Sequence, residues 1–364
     1  MSKETTKRKA EHIRISLNHN VQAKSVTTGF EDVSFVHRAL PEIDRKEIDL
    51  QTKVFGHRFA APIVAGAITG GTQEAEKINA TIAEAVEELG LGMGVGSQRA
   101  AVENRKLVET FAAARRKAPT AFLIANIGGV QLVNGYGMKE AKKAVDMIKA
   151  DALAIHLNAL QETAQPEGQT NFRGVLERIR EIAEESDEPV IAKETGAGLS
   201  AEEAKRLESN GVKGIDVSGA GGTSFAAVEY YRAKRAENSS QRRLGAVFWD
   251  WGIPTAASIV EVSQTVKIPV IASGGIRNGV DVAKSLALGA SLASLSQPIL
   301  HSAVRGVKET GRTLSMLIDE LRNVMFLVGA DSIEQLRKVP VVITGRTSEW
   351  LRLRGFNTET YARR

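Results

Sequence analysis

The chain contains no cysteine, an absence that removes disulfides, thiolate metal sites and thiolate nucleophiles together. It also lacks any apolar run approaching the roughly 20 residues needed to cross a bilayer. Met1 to Ala10 is charged where a signal peptide would be apolar, so a cytoplasmic enzyme is the expectation. Aromatic residues make up only 5%. No basic stripe with interleaved aromatics occurs, which argues against a nucleic-acid partner.

What is present fits a globular α/β protein. With 364 residues, 43% of them hydrophobic and 25% charged, the chain can bury a large core as one big domain or two ordinary ones. The formal net charge is +5 and the pI near 9.3. The 48 basic residues are mixed with 43 acidic ones, as in the stretch Arg178 to Glu188, so a small anionic substrate accounts for the sign as well as a polyanion does.

Short apolar runs recur, each followed by a Gly-rich or polar break and then a helical pattern. Strands are expected near Pro62, Met93, Ala121, Leu153, Val190, Gly214, Ile268 and Ser291. Between the first two, Ala75, Ile78, Ile82, Ala85, Val86 and Leu89 repeat at three and four, the pattern of an amphipathic helix. Similar helices are expected over Arg105 to Lys117, Lys139 to Lys149, Phe172 to Glu185, Ala201 to Ser209 and Val280 to Leu288. Eight such units over about 240 residues match a (β/α)8 TIM barrel better than an open doubly wound sheet. Residues 61–328 form that barrel in this reading, ending in a helix over Ser302 to Val328. Residues 1–60 lack the pattern and read as an N-terminal extension carrying a binding arm. The basic tail, 329–364, is expected to pack on the barrel or on a neighbouring subunit. The long connection Asn210 to Ile253 holds the polar run Tyr231 to Arg243 and reads as a functional or mobile loop.

In such a barrel chemistry gathers at the carboxyl ends of the strands. The fourth apolar run, Ala152-Leu153-Ala154-Ile155, ends abruptly in His156-Leu157-Asn158-Ala159-Leu160-Gln161-Glu162. On a strand His156 and Asn158 share one side, and four polar groups at one strand end burden folding unless they are paired or bind something. The other ends are Gly66-Ala67-Ile68-Thr69-Gly70-Gly71, Gly96-Ser97-Gln98-Arg99, Asn126-Ile127-Gly128 and Lys193-Glu194. Two more complete the ring, Ser218-Gly219-Ala220-Gly221-Gly222-Thr223 and Ser273-Gly274-Gly275-Ile276-Arg277. Glycines there admit a flat or anionic ligand, and the last two strands are the usual phosphate site of the fold. Lys193 would be costly in the barrel mouth unless paired with Glu194 or Asp216 or set against an anionic ring such as a reduced flavin.

Taken together these motifs resemble the type 2 isopentenyl diphosphate isomerases, FMN-dependent barrels that interconvert isopentenyl and dimethylallyl diphosphate. Arg8-Lys9 with His12, and Trp251-Gly252-Ile253-Pro254-Thr255, complete the match, which runs from Arg8 to about Leu300. Two positions depart from the family's pattern. The eighth strand reads Ser294-Leu295-Ser296-Gln297-Pro298 without the usual glycine, and Ala67-Ile68 replaces a more common Met beside Thr69.

The resemblance implies FMN contacts from Ala67, Ile68, Thr69, Ser97, Asn126, Lys193, Ser218, Thr223, Gly275, Ile276, Arg277, Ser296 and Gln297. It implies substrate contacts from Arg8, Lys9, His12, Arg99, His156, Asn158 and Gln161, with Glu162 as the Mg2+ ligand. Gln161 and Lys193 are the catalytic candidates: reduced FMN would act as acid and base, Lys193 would stabilise its anionic form, and Gln161 would orient the alkene or relay a proton. NADPH as reductant and a homo-oligomer, tetramer or octamer, are further expectations. A related FMN-dependent 2-hydroxy-acid oxidase would need a His base after a late strand, and the sixth strand end has none. Inosine monophosphate dehydrogenase would need a cysteine. A non-catalytic flavin or phosphate-binding protein would need neither Gln161-Glu162 nor the Arg8-Lys9 arm.

Overall fold

The computed structural model describes residues 2–364, with side chains from Arg8 onward. Eight parallel strands close into a barrel: β4 (Ile63–Ala65), β5 (Gly92–Gly94), β6 (Phe122–Gly128), β7 (Ala152–Leu157), β8 (Val190–Glu194), β9 (Gly214–Asp216), β10 (Val270–Ala272) and β11 (Leu292–Leu295). The closing pair is β11 with β4, Ala293 lying beside Ile63. All eight strands expected from the sequence are present, and the fold is a (β/α)8 barrel.

Side-chain alternation divides the core in two. Leu123, Ala125, Ile127, Leu153, Ile155, Val190 and Ala192 point outward into the layer between strands and helices. Phe122, Ile124, Ala152, Ala154, Ile191, Ile271 and Leu292 fill the barrel interior. The same inward alternation, carried one step further, delivers His156 and Lys193 to the mouth, where they are paired neighbours, and Lys193 is paired in turn with Asp216. Helices that leave this face are capped from the loops: Thr72, Ser200, Ser224 and Asn278 each accept a backbone N–H of the first turn, a contribution of about 1 kcal/mol apiece.

The N-terminal extension carries more structure than its pattern foretold. Ser2–Asn18 is a helix, β1 spans Val33–Phe35, and β2 (Thr52–Val54) and β3 (His57–Phe59) form a hairpin. Phe55 and Gly56, both at positive φ, make its turn. The hairpin inserts Phe55 and Phe59 against Phe122 and so stoppers the barrel at the end opposite the strand tips. The helix carries no apolar stripe by which a sequence pattern would show it: among its described side chains the buried hydrophobic ones are Ile13 and Ile15.

The connection after β9 corrects a second expectation. Two helices, Phe225–Arg235 and Ser239–Val247, occupy it. The face buried by the first includes Ala226, Ala227, Val228 and the carboxylate of Glu229, and a buried Glu hides the period that a hydropathy pattern would show. The final barrel helix is divided into Gln297–Ala303 and Val307–Val328. In the tail, β12 (Val341–Ile343) pairs antiparallel with β1, and the helix Gly345–Leu353 packs on Thr255–Thr265. Among the described residues no helix is long and apolar enough to cross a membrane.

Candidate active site

One cavity of about 250 Å3 opens at the carboxyl ends of the strands, beneath the N-terminal helix. It brings together the residues expected to contact cofactor, substrate and metal. Arg8, Lys9 and His12 come from the arm, Ala67, Ile68 and Thr69 from the loop after β4, and Ser97 and Arg99 from that after β5. Asn126 lies on β6, His156 on β7 with Asn158, Gln161 and Glu162 just beyond it, and Lys193 on β8. Ser218, Thr223, Gly275, Ile276, Arg277, Ser296 and Gln297 complete the wall. Ile276 is buried in the outer core, so it meets the cavity chiefly through its backbone.

Lys193 takes the ion pair that its burial required. Its Nζ lies 3.2 Å from Asp216 and donates to the Glu194 carbonyl at 3.0 Å, which leaves one of its three N–H groups for a ligand. Asp216 is fixed in turn by the Ser273 hydroxyl. Glu194 turns away from the cavity and accepts from the Thr195 and Ala197 amides at 2.5 Å each. Burial holds its pKa up at about 7 in spite of those bonds.

His156 and Lys9 share one electrostatic predicament. Burial pushes the His156 pKa down to about 3, helped by Lys193, Lys9 and Arg8, so the ring is neutral. His156 Nδ1–H then donates to Asn126 Oδ1 at 2.8 Å. Asn126 also donates to the Val95 carbonyl at 3.1 Å and is held from behind by Gln98, whose Oε1 accepts the Asn126 amide at 2.8 Å. Lys9 is lowered to about 7 by burial and by Arg8 and Arg99; its ammonium donates to the Ser97 carbonyl. Arg99 is steadied by Glu103 at 2.8 Å. A site in which cations depress one another is built for an anion that would relieve them.

The β7 cluster is divided in its roles. Glu162 is 7% exposed and accepts from Asn158 Nδ2 at 3.0 Å and from the Gln169 amide at 2.7 Å. Asn158 Oδ1 is buried with no partner, an acceptor aimed at something that donates. Among the described residues no three His, Asp or Glu side chains gather to enclose an ion, so a cation held by Glu162 would take its remaining ligands from phosphate and water.

The arm itself is fastened by charge. His12 Nε2 lies 2.9 Å from Glu229, which is fully buried. Arg232 joins Glu229 at 2.6 Å, Glu11 at 3.2 Å and Glu167 at 2.8 Å, and Arg8 reaches Glu167 at 3.6 Å. Burial would raise the Glu229 pKa, but the charges and hydrogen bonds of His12 and Arg232 outweigh it and hold it below the usual range. With Nε2 committed, His12 could touch a ligand only through its other nitrogen.

The geometry has counterparts among known proteins. The family model for FMN-dependent dehydrogenases matches residues 1–125 and 131–342. An isopentenyl-diphosphate delta-isomerase of Methanosarcina barkeri is 49% identical over 358 residues, covering 98% of this chain and 97% of its own. One of Thermococcus onnurineus is 52% identical over 355 residues, covering 95% and 94%. This chain belongs to the FMN-dependent isopentenyl-diphosphate delta-isomerase family. It is therefore an enzyme of an isomerase family built on a flavin-binding barrel. Solved structures share the fold at lower identity: a Pediococcus acidilactici lactate oxidase (20% identity, 94% and 93% coverage, TM-score 0.64) and a mandelate oxidase (18%, 94% and 98%, TM-score 0.61).

The cavity can be tested against the cofactor of that family. Arg277 and the backbone at Gly275 face its β10 end, and Ser296 precedes the helix at Gln297 without capping it, which suits a phosphate. Gly66 makes room for Ser296 across the strand pair: a Cβ there would come within 2.4 Å of Ser296 Oγ. Lys193 lines the same cavity and has a free N–H with which to meet an anionic ring edge. The residues present fit FMN. Other glycines serve the protein rather than a ligand; a Cβ on Gly70 would strike the Phe111 ring at 1.9 Å. Gln98 and Asp216, both named at the strand ends from the sequence, hold Asn126 and Lys193. Glu229, which holds the arm, was not flagged by any motif, because the burial of a lone polar residue is invisible in sequence.

Proposed function

We propose that the enzyme interconverts isopentenyl and dimethylallyl diphosphate by a 1,3-allylic proton rearrangement, with FMN in its reduced form and Mg2+ at Glu162. The observation that carries this reading is the docking of Arg8 and Lys9 over the same cavity that Lys193 and Arg277 enter from the barrel. One positive end suits the phosphate of FMN and the other a diphosphate. Isomerase relatives at about half identity over nearly the full length support that substrate pair.

Arg8, Lys9, Arg99 and His156 would bind the diphosphate, and Asn158 would complete the polar wall. Glu162 would hold Mg2+ against the phosphate oxygens, since Mg2+ is commonly bound by one or two carboxylates with phosphate and water. Isomerisation needs a proton at an unactivated alkene carbon and the loss of another two carbons away. Among the described residues no side chain facing the cavity is acidic enough for that; reduced FMN, when bound, would supply the acid and base. Lys193, steadied by Asp216, would favour the anionic ring, and Gln161 would orient the alkene. Closure of the arm would exclude water.

The oxidases that share the fold suggest oxidation of a 2-hydroxy acid as the rival. The histidines lining the cavity are His12 and His156, on the arm and on β7, so the base expected after a late strand is missing. Anaerobic incubation of the holoenzyme with isopentenyl diphosphate, Mg2+ and NADPH in D2O, followed by NMR, tests the proposal. Deuterium in dimethylallyl diphosphate is expected; flavin reduction by lactate or mandelate with no isomerisation would replace this reading by the oxidase one.

A further inference from the structure

Between the arm helix and β1 the chain runs as a strap along the phosphate end of the cavity. Gln22 bridges antiparallel to Thr223, with Ala23 N–H donating to the Gly222 carbonyl and Ser224 N–H to the Val21 carbonyl, both at 2.8 Å. Trp249 Nε1–H donates to the Gln22 carbonyl at 2.8 Å, and Asp250 accepts the Lys24 and Ser25 amides at 2.7 and 3.0 Å. Strap and loops touch closely: a Cβ on Gly275 would lie 2.3 Å from Thr28 Cγ2, and one on Gly221 2.2 Å from the Thr27 carbonyl carbon.

The side chain of Gln22 lies between two residues of the phosphate wall. Arg277 Nη2–H donates to Gln22 Oε1 at 2.6 Å, and Gln22 Nε2–H donates to Gln297 Oε1 at 2.9 Å. These two bonds fix every amide involved. A guanidinium can only donate, so Gln22 must present its oxygen to Arg277 and its nitrogen to Gln297. Gln297 must then present oxygen to Gln22, which leaves its own NH2 group for another acceptor. The bridge thus sets Gln297 and Arg277 as donors, the polarity that an anion requires.

We infer that Gln22 is a positioning residue for the cofactor phosphate, acting through Arg277 and Gln297 and locking the strap over that end of the flavin. The inference rests on the reading that FMN phosphate lies at the ends of β10 and β11. It assigns to the N-terminal extension a second task, distinct from the diphosphate contacts of Arg8 and Lys9. Cofactor exchange then requires the strap to lift. A carboxylate at position 22 would still accept from Arg277, but it would repel Gln297 Oε1, turn that amide round and present its oxygen to the phosphate.

Comparing FMN with riboflavin, which lacks the phosphate, isolates the effect. In the full-length protein stripped of flavin and titrated by flavin fluorescence, Gln22→Glu is expected to weaken FMN about tenfold or more while riboflavin changes less than about twofold. Gln22→Met, which keeps the length and loses both bonds, is expected to fall between and to speed FMN release. Equal losses for both flavins would reduce Gln22 to a packing residue and overturn the inference, as would unchanged FMN affinity in both variants. If the unaltered protein binds neither flavin, or both equally, the phosphate assignment itself fails and this inference with it.

Discussion

Lys9 shows how one side chain registers the whole site. At a pKa of about 7, against an ordinary 10.5, it is largely neutral at pH 8.5 in the ligand-free enzyme. A diphosphate would restore its charge, so binding should draw a proton from solvent between those two values. Calorimetry with pyrophosphate in two buffers of different ionisation enthalpy should show uptake approaching one proton at pH 8.5, and Lys9→Gln should remove most of it. Heats independent of buffer would rule out this account. The unfolded chain binds the extra proton over the same window, so the contribution of Lys9 to stability rises as pH increases from about 7 to 10.5.

Gln161 presents the second test at this scale. An amide has no titration near neutrality, which favours orientation over proton transfer. Gln161→Met is expected to lower kcat by roughly a hundredfold with KM changed little and the pH profile unmoved; loss of one limb of that profile would assign it the proton instead. Residues at the strand ends were readable in the sequence because barrel geometry makes such ends converge. Gln22 and Glu229 were not readable, since each acts by holding another residue and its partners are distant in sequence.

The elements differ in what holds them. Barrel strands carry buried apolar runs and are legible for that reason. The arm helix is held at the mouth largely by its ion pairs to Phe225–Arg235, centred on Glu229. Glu229→Ala leaves Arg232 and His12 without their buried partner, at a cost of about 3 to 5 kcal/mol if the arm stayed docked. The arm should instead lift, and trypsin should cut near Arg8 and Arg14 much faster than in the unaltered protein, while circular dichroism of the barrel stays the same. Protection unchanged in Glu229→Ala would mean that Ile13 and Ile15 suffice. The polar helix pair after β9 reads as a loop in the sequence for the same reason: its interior face is partly ionic.

Over the whole molecule, the two ends of the chain brace each other. Beyond the β1–β12 pair, Thr347 donates its amide to Asp32 at 2.8 Å and its hydroxyl to the Gly29 carbonyl at 3.3 Å, at the foot of the strap. The tail is anchored in turn by Trp350 and Arg354 on the fully buried Glu261, at 2.8 and 3.1 Å. Arg354 is partly exposed and also bonds Glu202, so Arg354→Ala is expected to cost about 1 to 3 kcal/mol and to lower the melting temperature by several degrees. An unchanged melting temperature would show the tail to be secured elsewhere. Composition fixed the class of molecule, yet nothing local in β1 or β12 announced that they pair, because each is three residues long and finds its partner across the full chain.

That pairing also orders events during synthesis. Val33–Phe35 is synthesised well before its partner Val341–Ile343; at typical elongation rates the wait is roughly half a minute. Until then the foot of the strap lacks its brace. Stable flavin loading is therefore expected to follow the synthesis of Val341–Ile343, and a product that stops short of that strand is expected to retain its flavin poorly.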